Sequence, residues 1–227
     1  MKTSILTILA YFIMCSVSYA SDVYITQSGA TLTANINQDG QTNRFGDSTT
    51  AVTLTGDTQT LDIDQIGNTN TIAASLIGAI QEFTLRQAGS SNTSTVSVGS
   101  NSASGDNSII ETITGSSNTT TVNVGNSAST DDADVDLTVT GDSNTVTINE
   151  NSTATMIGDD KKVTSITAIG GSNTITSTHT GAADQDTTLH HTGSSGTFSL
   201  TQGGAYDGTT SITTVGSGHN VTVTMDD

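Results

Sequence analysis

One short unit recurs along this chain, and it restricts the possible folds more than any other feature. The unit reads apolar, any residue, Gln or apolar, any residue, Gly, two residues, Asn, any residue, apolar. It stands as Ile25-Thr-Gln27-Ser-Gly29 and as Ile36-Asn-Gln38-Asp-Gly40-Gln-Thr-Asn43. It returns as Ile63-Asp-Gln65-Ile-Gly67-Asn-Thr-Asn70 and as Leu85-Arg-Gln87-Ala-Gly89-Ser-Ser-Asn92. The interval from Gln65 to Gln87 is twice that from Gln27 to Gln38, and Gly78 sits near its midpoint. The register is therefore a full repeat made of two equal halves. Later copies keep the Gly and the Asn while the Gln becomes apolar, as at Gly115 with Asn118, Gly141 with Asn144, and Gly170 with Asn173. Two degenerate copies follow, from Gly193 to Gln202 and from Gly216 to Met225.

Between the glycines, apolar and polar residues alternate over four or five positions, with Val, Ile and Thr dominant, which is the pattern of a strand. A helix would need a stripe about every 3.6 residues; only Thr71 to Leu85 could be read that way, and its alternation fits a strand equally well. The glycines Gly29, Gly40, Gly56, Gly67, Gly78, Gly89, Gly115, Gly141, Gly193 and Gly216 are expected in tight arcs, where positive φ costs glycine nothing, and Asn three positions on tolerates the same region. Strand, arc, strand, arc at a period of about 22 residues predicts an all-β fold, a β-solenoid of about eight coils. Longer coils are expected in the middle, from insertions such as Ser100 to Asn107 and Asn126 to Asp134.

Stacked coils place equivalent residues above one another. Gln27, Gln38, Gln65 and Gln87 are therefore expected to point inward as amide ladders, with Gln27, Gln65 and Gln87 in one column. Asn43, Asn70, Asn92, Asn118, Asn144 and Asn173 should form another, each amide bonding to its neighbours above and below. The pattern runs from Ile25 to Met225 without proline, and no cap is expected at either end.

Residues 1–20 read as a signal peptide: Lys2, an apolar stretch from Ile5 to Val17, and Ser18-Tyr19-Ala20 before the cleavage point. Met14 before Cys15 does not suit a lipid-attachment site, and cleavage removes Cys15, the sole cysteine. Residues 21–227 then form one repeat domain without disulfides, exported to the extracellular surface or a fibre. Its charge is acidic, with 22 Asp and Glu against 5 Lys and Arg. Nucleic acid and anionic membranes, which need basic patches, are not expected partners.

The spacing Gln-x-Gly-x-x-Asn, with a second Gln half a repeat after the first, resembles the curlin repeat of bacterial curli fibres. The match is clear over residues 23–98, although Leu32 stands where that repeat has Asn; residues 99–227 keep only the spacing, Gly and Asn. The resemblance implies a secreted subunit that polymerises head to tail with copies of itself into an amyloid fibre serving adhesion and biofilm matrix. It also implies a nucleator, a chaperone and a secretion pore as partners. The chain departs from enteric curlins in passing from Ala20 almost directly into repeats.

No catalytic constellation is read in the chain and no cofactor is expected. His190 and His191 are adjacent, so in a strand they face opposite ways. They, His179 and His219 are expected at the surface. Acidic clusters at Asp131, Asp132, Asp134 and Asp136, at Asp62 and Asp64, and at Asp159 and Asp160 suggest a calcium-dependent adhesin as one alternative, though without the spacing of a known calcium loop. A second alternative comes from Thr93-Ser-Thr95, Thr119-Thr-Thr121, Thr145-Val-Thr147, Thr174-Ile-Thr176 and Thr222-Val-Thr224. In register these would make a flat threonine array similar to that of β-solenoid ice-binding proteins. The plain account is that Thr is a good polar strand former.

Overall fold

The computed structural model describes residues 21–40, 42–99, 106–125, 133–151, 161–181, 184–204 and 208–226. Among them the chain forms strands and arcs and no helix. The assigned signal peptide lies outside the described residues.

The first coils contain β1 (Ser21–Val23), β2 (Thr26–Ser28), β3 (Thr31–Asp39), β4 (Thr42–Phe45), β5 (Val52–Thr55), β6 (Thr58–Ile66) and β7 (Thr69–Ile77). Then follow β8 (Ile80–Ala88), β9 (Ser91–Val98), β10 (Asn107–Thr114), β11 (Thr119–Val124), β12 (Ala133–Thr140) and β13 (Thr145–Asn151). The last coils hold β14 (Lys161–Ile169), β15 (Thr174–Thr180), β16 (Asp184–Ser194), β17 (Thr197–Gly203), β18 (Gly208–Ser217) and β19 (Asn220–Asp226).

Every pairing is parallel and joins one coil to the next. One sheet stacks β1, β4, β7, β9, β11, β13, β15, β17 and β19, with β2 and β5 at its start. The other stacks β3, β6, β8, β10, β12, β14, β16 and β18. The two are called the long and the short sheet below. The fold is thus the expected all-β solenoid, with about seven turns.

Side chains that point inward from the two sheets meet to form the core. Along the short sheet one inward column reads Ile36, Ile63, Leu85, Glu111, Leu137, Ile166, Leu189, Ile212. A long-sheet column reads Val52, Ala74, Val96, Val122, Ile148, Ser177, Leu200, Val223. Each coil contributes only a few apolar side chains, so stability resides in the stack rather than in any single coil.

The turn length is not uniform. Asn70 pairs with Asn92, a step of 22 along the chain, whereas Thr93 with Thr119 is a step of 26 and Thr145 with Thr174 a step of 29. After the first coil, the added length falls at one corner, where the chain leaves the long sheet for the short one; in the first coil it falls within the long sheet, between β4 and β5. The return corner, Gly-x-x-Asn, keeps its length. Three of the insertions open on a left-handed glycine: Gly46, Gly99 and Gly125 have φ of 67°, 66° and 67°. In the first coil the insertion splits the long-sheet strand into β4 and β5. There Asp47 accepts from the Thr49 and Thr50 amides and the Thr49 hydroxyl, which hold its carboxyl well below the usual range.

The expected positive φ is found at Gly141, Gly193 and Gly216, but the arc glycines obey a second constraint that applies to the others as well. Gly67, Gly89 and Gly115 have no left-handed φ. A Cβ on any of them would instead collide with the carbonyl oxygen of Gly40, Gly67 or Gly89, one coil below. The column exists because backbone stacks on backbone. Gly29, Gly56 and Gly78 form a second such column at the opposite corner, where a Cβ on Gly78 would overlap the Gly56 carbonyl. The non-glycine arc residues with positive φ are serines, Ser143, Ser172 and Ser195, rather than the following Asn.

Gly115→Ala should accordingly lower stability by about 1–3 kcal/mol, the usual cost of overpacking. Gly171→Ala, whose Cβ meets nothing closer than 3.5 Å, should change it by less than about 0.5 kcal/mol. Urea melts followed by circular dichroism compare the two.

Candidate functional site

The structure offers three places where function could reside: the amide columns inside the coil, a polar cluster in the later coils, and the two outer sheet surfaces.

All the amides predicted to face inward are buried, but they fall into three groups rather than two. Gln38, Gln65 and Gln87 stack at the end of the short-sheet strands. Gln65 donates to Gln38 Oε1 at 2.6 Å and Gln87 to Gln65 Oε1 at 3.0 Å. Ile113, Val139 and Ala168 continue this column, which is where the sequence exchanges Gln for apolar residues. Gln27 does not belong to it. Its separation from Gln38 is half a coil, so Gln27 sits at the opposite corner. With its amide nitrogen turned toward the core, Gln27 reaches Thr55 O and Gln59 Oε1, both at 3.2 Å. Gln59 and Gln81, in register with each other on β6 and β8, are buried there too. They lack the following Gly-x-x-Asn and so escaped a search built on that spacing.

Asn43, Asn70, Asn92, Asn118, Asn144 and Asn173 do form one column. They bond along it, Asn92 Nδ2 to Asn118 Oδ1 at 3.1 Å and Asn118 Nδ2 to Asn144 Oδ1 at 2.9 Å. They also donate to carbonyls of the arcs and of the strand ends that lead into them. Asn144 donates to Gly141 O at 2.6 Å, Asn173 to Gly170 O at 3.1 Å, and Asn43 to Ile66 O at 2.8 Å. The Asn is therefore a lock on the arc, not a left-handed turn residue. In the next coil Gly196 takes its place, and the rings of Phe198 and His191, 4.9 Å apart, fill the space.

The histidines correct the surface expectation. His179 and His191 are buried, His219 is half-buried, and only His190 stands outside. His191 packs edge-on to His219 at 4.9 Å, and burial lowers its pKa. His179 joins a polar cluster. Its Nδ1 meets Glu150 Oε2 at 2.8 Å and its Nε2 meets Ser177 Oγ at 2.6 Å, while Thr164 donates to Glu150 Oε1 at 2.5 Å. The hydroxyl, imidazole and carboxylate follow the order of a nucleophilic triad. All three are sealed in the core, at most 3% exposed, so an external substrate cannot reach them. Lys162 lies in the next rung and donates to Thr180 O at 3.4 Å; desolvation lowers its pKa while Glu150 opposes that.

Glu111 is the other buried carboxyl. It stands between Leu85 and Leu137 in an apolar column, with Ser94 Oγ donating to it at 3.0 Å. Desolvation raises its pKa to about 8.

Charge is divided between the two outer surfaces. Outward positions of the short sheet carry Asp62, Asp64, Glu82, Asp134, Asp136 and Asp186, with an Arg86–Asp64 ion pair at 2.8 Å. Among the described residues no three potential ligands cluster around a metal position. Asp131, Asp132, Asp159 and Asp160 lie outside the described residues. Outward positions of the long sheet from Thr69 to Thr224 carry no charged and no aromatic side chain.

Two outcomes test the interior. Asn118→Leu strands the carbonyl of Gly115 and breaks the amide column at Asn144, and should cost about 1–3 kcal/mol, read as a lower urea midpoint. Because the folded pKa of Glu111 is raised, the protonated carboxyl favours the fold. Its contribution should be lost as pH climbs from about 4.5 to about 8. Glu111→Gln should flatten that part of the melting-temperature profile. A scan against protein-family models, a search of curated proteins and a search of solved structures each returned no match for this chain.

Proposed function

We propose that the protein is a self-assembling structural subunit, secreted and stacked end to end into an extracellular amyloid-like fibre of the curli type, serving surface adhesion and biofilm matrix. One observation carries the reading: the interior of the last coil is uncovered. Val221, Val223 and Met225 are 43%, 43% and 55% exposed, whereas Ile148 and Leu200, in the column of Val223, are 0% and 4% exposed. Bare apolar side chains on the outermost described strand of a parallel stack are a template for another rung.

The first coil offers a complementary rung. Continuing each column by one step sets Val221 over Val23, Val223 over Ile25, Ile212 over Ile36, and Gly216 over Gly40. Val23, Ile25 and Ile36 are themselves only partly buried. A second copy thus meets like with like, and the Gly column passes through the junction. The Gln and Asn columns support the same reading, since amide ladders are the side-chain feature of cross-β stacks. The curlin-like repeat adds the expectation of a nucleator, a chaperone and a secretion pore as accessory partners. Strong net negative charge keeps free subunits apart in solution until they are nucleated.

At micromolar concentration the purified protein should convert to fibres that bind amyloid dyes and diffract at the strand repeat of about 4.8 Å. Val221→Lys with Val223→Lys, placing charge on the open rung, should stop elongation while preserving the circular dichroism of the monomer. Wild-type protein that stays monomeric over weeks, with or without sonicated seeds, rejects the reading.

A further inference from the structure

The outward side of the long sheet contains an ordered array that end-to-end stacking leaves unused. One column reads Thr71, Thr93, Thr119, Thr145, Thr174, Thr197. Two positions on, the next reads Thr95, Thr121, Thr147, Thr176, Ser199, Thr222. Beside it run Ser97, Asn123, Asn149, Thr178, Thr201 and Thr224, where Asn149 donates to Asn123 at 3.0 Å. All these positions are exposed or half-buried.

Strand propensity alone does not account for this order. The short sheet is built of the same strands in the same coils, yet an outward column there reads Asn35, Asp62, Thr84, Ile110, Asp136, Ser165, Thr188. Nor does simple repetition account for it. The successive steps from Thr93 are 26, 26, 29 and 23, and they still return Thr to the same column. The insertions are confined to a corner, and the array is kept.

We infer that this surface binds ice. The occupant must be uncharged, because this array carries no charge; the outward charged residues of the long sheet, Asp22, Arg44 and Asp226, lie at its two ends. It must also be periodic, because the surface is periodic. The array lacks the Trp, Tyr and Arg that anchor protein partners, and it lacks aromatic rings for stacking on sugars and basic groups for phosphate. Each threonine offers a hydroxyl that both donates and accepts, with a methyl beside it. The sheet sets the two repeats, about 4.8 Å between rungs and about 6.6 Å between alternate residues of a strand. Both are close to oxygen repeats in hexagonal ice. Rigidity comes from the backbone ladder beneath, so little side-chain order remains to be imposed on contact.

The inference is independent of polymerisation, since one subunit already displays several rungs of paired hydroxyls. Thermal hysteresis and ice-crystal shape, measured by nanolitre osmometry, test it on the full purified chain, alone and with Val221→Lys and Val223→Lys to hold it monomeric. The expected result is faceted crystals and a freezing-point gap from both. Thr121→Lys with Thr147→Lys should lose most of that gap with unchanged circular dichroism and melting. Thr138→Lys, on the outward side of the short sheet, should retain it. Absence of hysteresis and of crystal shaping in the parent chain overturns the inference. So does full activity in the Thr121→Lys, Thr147→Lys variant, or retention by insoluble cellulose with no effect on ice.

Discussion

Parallel, in-register pairing of each coil with the next is the constraint from which the rest of the molecule follows. Among the described residues it is the backbone pairing that joins the strands, and it puts each strand residue directly over its counterpart one coil away. A column is then good or bad as a whole. Apolar columns exclude water along the axis, amide columns satisfy themselves, and a column of arcs must be glycine because its backbones nearly touch. The same rule explains why Glu111 is so disfavoured as an anion: its rung neighbours in the stack are Leu85 and Leu137.

That constraint also separates what can vary from what cannot. The Gly-x-x-Asn corner is closed on both sides, by the glycine carbonyl of the coil below and by the Asn amide that holds the arc carbonyls. It admits no extra residue in any described coil. The opposite corner has no such lock after Gly78, and from there on it absorbs every difference in coil length. A solenoid with one fixed and one free corner keeps both sheets in register while its sequence drifts. Two very different surfaces can therefore be held on one rod, one acidic and mixed, the other uncharged and regular.

Different parts of this were legible to different degrees. The strands, the arcs and the solenoid could be read directly, because alternation and the Gly-x-x-Asn spacing are local patterns with a local cause. The inward direction of Gln65, Asn70 and the other amides followed from the same alternation. Gln27 was misplaced because a half-repeat looks like a repeat in one dimension, although it lies on the other side of the coil. Gln59 and Gln81 were missed because their amides belong to the corner without the marker. The histidines misled for another reason: His179 has an ordinary surface-like sequence context, and only the coil opposite supplies the Glu150 that makes its burial tolerable.

The sequence by itself determined the secondary structure, the repeat and the overall class of fold, since periodicity and turn chemistry act over a few residues. It also placed threonine at alternate positions. Which of those threonines share a surface was a matter for the tertiary structure alone, because insertions of unequal length hide the register until the corner that absorbs them is known. The same is true of the glycines. Their identity, and the positive φ that some of them adopt, were plain in the sequence, but the constraint they share, a carbonyl one coil away, exists only once the coils are stacked.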